Sequence, residues 1–188
     1  MSVVLTTPMS REAFLAWEER QELRHEFDGV RVVAMTGGTR AHAAIQSNLN
    51  ISVGARLRGT SCRFFGGDLK VRTARGYRYP DGFVSCTPGT NASTIVEDPV
   101  VLFEILSPST AGIDSVTKNQ EYAAIPSVRR YVLLAQDRIG TTVFERAGDD
   151  WIGHVIAGDA VLHLPEIGIE LPLPELYEGL DFGDPATG

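Results

Sequence analysis

Apolar positions recur along the chain with two different periods, and the switches between them mark out its elements. Phe14, Leu15 and Trp17 follow Pro8 and Ser10; Ser10 can cap a helix and Glu12 favours its positive end, so a short helix is expected from residue 11. Two β-prone runs, Leu23 to Phe27 and Val30 to Met35, flank Asp28-Gly29, a dipeptide that closes hairpins. After Gly37-Gly38 the spacing lengthens. Ala41, Ile45, Leu49, Val53 and Leu57 recur four apart until Gly59, which predicts a core-facing helix.

From Cys62 to Cys86 the period shortens again into β-type runs: Arg63-Phe64-Phe65, Leu69-Lys70-Val71-Arg72 and Phe83-Val84-Ser85. Turn formers fill residues 87 to 98, and then Val100 to Leu106 is an almost unbroken apolar run, the pattern of a strand buried on both faces. Asp114 to Ala124 reads as a helix, with Asp114 as its cap and Pro126 beyond its end. Tyr131 to Leu134 and Thr141 to Phe144 form a strand pair, further strands fall between Trp151 and Leu164, and a short helix is expected near Pro174 to Tyr177. This order implies an α/β (α+β) domain, a central mixed β-sheet flanked by helices, spanning residues 1–188 with a core over about 10–146 and a β-rich extension over 147–180.

Composition narrows the function. The 188 residues carry 24 acidic and 17 basic side chains, a net charge of -7, and 43% are hydrophobic, which excludes a disordered chain. No run reaches the roughly 18 apolar residues of a membrane helix, and Met1 to Leu5 lack a signal peptide's basic flank, so a cytoplasmic location is expected. The acidic balance excludes non-specific coating of nucleic acid but leaves room for a local groove, for which Arg56, Arg58, Arg63, Lys70, Arg72, Arg75 and Arg78 form the most basic stretch. Cys62 and Cys86 belong to no paired Cys-x-x-Cys and are expected to be reduced core thiols.

The candidate chemistry lies where acids interrupt apolar runs. Glu104 sits inside the buried strand, where an unpaired carboxylate costs several kcal/mol or stays protonated, so it calls for a cation, a metal or a strand-end position that reaches solvent. Asp81, after Tyr79-Pro80, enters a neighbouring strand, so the two carboxylates can converge. Lys118 lies on the next helix with Tyr122 one turn further on the same face. Two acids holding Mg²⁺ beside a lysine are the parts of a phosphodiester hydrolase, to which Glu26 can add a third carboxylate and His42 a proton acceptor. Structural readings stand beside these: Glu104 paired with Arg129 or Arg130, Lys118 paired with Asp114, Asp81 and Glu26 as turn residues, and His42 as a capping residue. Gly37-Gly38-Thr39 lacks the lysine of a P-loop, and His154 and His163 read as structural.

Taken together, Arg24-His25-Glu26-Phe27-Asp28-Gly29, Gly37-Gly38-Thr39-Arg40-Ala41-His42, Tyr79-Pro80-Asp81 and Phe103-Glu104-Ile105-Leu106-Ser107-Pro108-Ser109-Thr110, with Asp114, Lys118 and Tyr122, resemble the Uma family of restriction endonucleases in the PD-(D/E)XK nuclease superfamily. The resemblance runs from about Ser10 to Phe144. It implies Asp81, Glu104 and Glu26 as ligands of Mg²⁺ or Mn²⁺, Lys118 as the catalytic lysine, support from His42, Tyr122 and Ser107, a DNA substrate and a homodimer. The superfamily places its lysine two residues after the second acid, where this chain has Leu106, so Lys118 would act from the following helix. Three functions remain open: a metal-dependent DNA endonuclease, a catalytically inactive nuclease-fold module that binds nucleic acid or protein, and an enzyme acting on a small substrate through paired carboxylates.

Overall fold

The computed structural model describes residues 4–6, 9–35, 37–106 and 113–183. The chain opens with β1 (Val4–Thr6), α1 (Arg11–Glu18), β2 (His25–Phe27), β3 (Arg31–Ala34) and α2 (Arg40–Arg56). There follow β4 (Arg63–Gly66), β5 (Lys70–Arg72), β6 (Tyr77–Arg78), β7 (Gly82–Ser85), β8 (Ile95–Val96), β9 (Pro99–Leu106) and α3 (Ile113–Ala123). Then come β10 (Arg130–Ala135), β11 (Gly140–Ala147), β12 (Asp150–Ala157), β13 (Val161–Leu164) and β14 (Ile169–Pro172), with 3₁₀ turns at Pro165–Ile167 and Leu173–Tyr177.

Local chemistry sets the ends of these elements. Ser10 Oγ accepts the Ala13 N–H at 3.2 Å and Thr39 Oγ1 accepts the His42 N–H at 3.1 Å, each satisfying an amide that its helix cannot. Between β2 and β3 the Asp28 carboxylate accepts the N–H groups of Val30 and Arg31 at 2.9 and 2.7 Å, closing the expected hairpin. The cap expected from Asp114 involves a side chain outside the described residues.

The strands divide between two sheets where one was expected. The central sheet has the order β12-β11-β10-β9-β7-β4, and a second six-stranded sheet has the order β1-β3-β2-β6-β5-β8. β13 and β14 form a separate ribbon. The central sheet is mixed: β9 and β10 run parallel, which requires a crossover, and α3 supplies it. All other pairs in this sheet are antiparallel.

Strand alternation assigns β9 to two cores, which explains its unbroken apolar sequence. Val101, Phe103 and Ile105 pack with Ile45, Leu49 and Val53 of α2 and with Leu162, Leu164 and Leu171 from the C-terminal ribbon. Leu102 faces the other way, into a cluster with Tyr122, Ile125, Val128 and Tyr131. Beneath α1, Phe14 stacks on Phe27 at a centroid distance of 5.0 Å beside Val32 and Tyr77. Among the described residues no helix is long and apolar enough to cross a membrane.

Cys62 and Cys86 are not the reduced thiols expected from the sequence; they form a disulfide with a Cα–Cα separation of 3.8 Å. The register Arg63↔Ser85 between β4 and β7 sets them opposite each other one step beyond the pair. Their adjacency is hidden in the sequence because the chain leaves the central sheet after β4, builds β5 and β6 in the second sheet, and returns as β7.

Gly76 marks the closest backbone approach in the second sheet, since a Cβ there would lie 1.8 Å from the Phe27 carbonyl oxygen. No side-chain movement relieves a clash with backbone. Gly76→Ala is therefore expected to cost at least about 2 kcal/mol by forcing β2 and β6 apart, and urea unfolding of the variant beside the parent checks it; equal midpoints would refute the close approach.

Candidate active site

The site is assembled from both sheets. β7 and β9 are antiparallel with Gly82 opposite Phe103, so one further step sets Asp81 opposite Glu104. The two acids meet although they lie far apart in sequence, and the Asp81 charge acts on the Glu104 carboxyl. Asp81 Oδ2 accepts the Ile105 N–H at 2.7 Å, and Oδ1 lies 3.1 Å from His42 Nε2 in the first turn of α2. Gln46, one turn further along α2, donates to the Asp81 carbonyl at 3.0 Å.

Glu104 projects on the α3 side of the sheet. Lys118 Nζ donates to its two carboxylate oxygens at 3.1 and 3.2 Å, and the Tyr122 hydroxyl donates to Oε1 at 2.9 Å. The one-turn spacing of Lys118 and Tyr122 thus converges on a single acid, as their sequence separation implies. The alternative pairing of Glu104 with Arg130 is not realised: Arg130 binds Glu145 and Glu166 instead.

Lys118 also reaches Glu26 of β2 at 3.1 Å. Glu26 accepts the Tyr79 N–H at 3.1 Å and an Arg78 N–H at 3.2 Å, and Arg78 forks onto both oxygens of Glu121 at 2.7 and 3.1 Å. Arg78 is 1% exposed, so this bidentate partnership is what makes its burial tolerable. Arg78 and Glu121 were not read from the sequence as site residues; the available signals are an arginine set between two tyrosines, and a glutamate one helical turn from Lys118. Gln46 carried no comparable signal.

Negative charge exceeds positive around Glu104. Burial is the largest influence on its carboxyl; Lys118 opposes it, while the charges of Asp81 and Glu26 add to it, and the outcome is a pKa of about 7 in place of 4.5. Burial also pushes Glu26 up, but Lys118, Arg78 and the Tyr79 N–H outweigh it and hold that carboxyl below its ordinary value. His42 is raised, chiefly by its hydrogen bond to Asp81.

This donor set suits a divalent cation bound by two acids. Mg²⁺ is commonly held by one or two carboxylates, with waters and substrate phosphate oxygens completing its shell. Among the described residues no group of three His, Cys, Asp or Glu side chains is disposed to hold a metal, and Glu26, the third expected ligand, contacts Lys118 and Arg78. Ser107 lies outside the described residues.

A cleft of about 750 Å³ opens beside Asp81, lined by Arg24, Gly38, His42, Gln46, Asn50 and Phe64 among others. None of the basic stretch noted in the sequence lines it, and Arg56, Lys70, Arg72 and Arg78 are paired with Glu175, Glu18, Glu97 and Glu26.

The mixed sheet with its crossover helix α3 is a nuclease-type fold, and comparison with known proteins agrees. The chain belongs to the Uma2 family, described as "Putative restriction endonuclease", whose profile matches residues 11–174. It is 32% identical to the uncharacterized protein slr1290 of Synechocystis sp., over 93% of this chain and 94% of that one, and 26% identical to the uncharacterized protein sll1609 of the same organism, over 85% and 94%. A crystal structure from Anabaena variabilis, described as a "putative nuclease belonging to DUF820", superposes with a TM-score of 0.75 at 20% identity, covering 90% of this chain and 98% of that one. Family and fold support a nuclease-like function.

A raised carboxyl pKa has a definite sign. Glu104 binds its proton more tightly in the folded state, so its contribution to stability is full below about pH 4.5 and is lost as pH rises to about 7. The carboxyl ¹³C shift of Glu104 is expected to titrate near pH 7, and Asp81→Asn is expected to lower that midpoint by removing a neighbouring negative charge. Glu104→Gln should abolish its share of the pH dependence of stability over the same range. A Glu104 midpoint at the ordinary value would refute this account of the site.

Proposed function

We propose that this chain is a metal-dependent DNA endonuclease in which Asp81 and Glu104 hold Mg²⁺ or Mn²⁺ and Lys118 is the catalytic lysine. The observation that carries the reading is the meeting of Asp81 and Glu104 across adjacent strands, with Lys118 Nζ 3.1 Å from Glu104. A cation held by Asp81 and Glu104 would supply Lewis-acid stabilisation of charge on the phosphoryl oxygens.

The chain's own groups account for the remaining tasks. Glu26 and Glu104 fix the Lys118 ammonium between them, so its donors are in place before substrate arrives. Lys118 orients the attacking water and offsets negative charge as the new phosphorus–oxygen bond forms and the bond to the leaving sugar oxygen breaks. His42, hydrogen-bonded to Asp81 and lining the cleft, is the nearby group suited to accept a proton from that water. Tyr122 and Arg78 are positioning residues: one orients Glu104 and the other holds Glu26. The Leu106 side chain, in the superfamily's lysine position, leaves this role to α3.

Supercoiled plasmid at low salt with Mg²⁺ or Mn²⁺ provides the test. The parent protein is expected to nick it, chelator to abolish nicking, and Asp81→Ala and Lys118→Ala each to slow it at least about 100-fold. A folded protein that binds DNA without cutting it under either metal would overturn the endonuclease reading in favour of a nucleic-acid-binding module.

A further inference from the structure

β12 forms one border of the central sheet, and among the described residues nothing pairs with its outer side. Edges of this kind are normally blunted by lysines, prolines, bulges or shortness. β12 runs eight residues, Asp150–Ala157, in unbroken register with β11, and its only acidic or basic side chain besides His154 is Asp150 at the start. It also bears Val155 at 72% exposure and Ile152 at 48%.

The backbone row that faces outward follows from one hydrogen bond. Gly158 N–H donates to the Ile139 carbonyl at 3.3 Å, and the register pairs Gly140 with Ala157. Antiparallel ladders bond at every second pair, so Ile152, His154 and Ile156 exchange hydrogen bonds with β11. Trp151, Gly153, Val155 and Ala157 direct their N–H and C=O groups to the free edge.

We infer that β12 pairs antiparallel with β12 of a second copy of this chain, about a two-fold axis through Gly153, joining two central sheets into one. This register matches outward groups with outward groups: Trp151 bonds Val155 of the second copy, and Gly153 bonds its own counterpart. It covers the exposed Val155 with the indole of the second copy's Trp151, a ring already stacked on Phe144 at an interplanar angle of 7°. On the other face Ile152 lies against His154 of the second copy.

Charge disfavours one of the two neighbouring registers. With the axis at Gly153, Asp149 stands opposite Ala157 and Asp150 opposite Ile156. Moving the axis to His154 would set Asp149 opposite Asp159 at both ends, placing like charges together. Gly153 has a local reason as well, because a Cβ there would lie 2.7 Å from the Phe144 ring. The same strand is used by both copies about a two-fold axis, so the pairing closes as a dimer rather than a filament. The inference is independent of the nuclease reading.

Sedimentation equilibrium of the full chain tests it. The parent is expected to sediment as a dimer and Val155→Lys as a folded monomer with an unchanged far-ultraviolet circular dichroism spectrum, since that side chain is 72% exposed in a single copy. Ile152→Cys with His154→Cys should give a disulfide-linked dimer under mild oxidation, the native pair being already bonded, whereas Ile152→Cys with Ile156→Cys should not. A monomeric parent, a dimeric Val155→Lys, or crosslinking by the second pair alone would overturn the proposal.

Discussion

A single ammonium group holds this site together. Lys118 comes from the crossover helix, Glu104 from the central sheet and Glu26 from the second sheet, and Nζ lies 3.1 Å from each carboxylate. Buried ion pairs offer little net stability, because desolvating the charges costs about as much as their attraction returns. Their effect here is geometric. A charged group taken from water tolerates few arrangements, and each member of this cluster is satisfied only when α3 and both sheets are in place. The Arg78 fork onto Glu121 repeats the pattern, tying β6 of the second sheet to α3.

That arrangement leaves an imbalance with chemical value. Asp81 is held by the Ile105 amide and His42, not by a fixed cation, so its charge falls on Glu104. No resident arginine relieves the repulsion between the two acids, and Glu104 answers it by holding its proton more tightly. The neighbouring cleft is polar and lined by side chains of α2, whose first turn supplies His42. The cleft therefore opens beside α2, while Lys118 reaches Glu104 from α3.

Much of this was legible in the sequence, for identifiable reasons. An acid inside the apolar run of β9 can be interpreted in few ways, and the spacing of Lys118 and Tyr122 fixes them on one helical face. The long period of α2 and the Asp28-Gly29 turn were equally direct. The division into two sheets was not legible: β5, β6 and β8 have three residues or fewer, too short to show alternation, and β1 has three. The same excursion of the chain between sheets concealed the Cys62–Cys86 neighbourhood. Glu121 stood in plain view one turn from Lys118, yet nothing in sequence tells a surface glutamate from one that receives a buried guanidinium.

The C-terminal ribbon has a bearing on how such a protein can be shortened or rebuilt. Leu162, Leu164, Leu171, Leu173 and Leu176 complete the same apolar cluster that α2 and β9 begin, and Glu166 receives the Arg130 side chain from the strand beside β9. Removing this ribbon would uncover the α2 face and leave the buried Arg130 guanidinium with Glu145 alone. Residues that look like a dispensable tail in the linear sequence are thus the outer wall of the scaffold, and a fusion or recognition module grafted onto this protein would have to be joined beyond that wall, not in place of it.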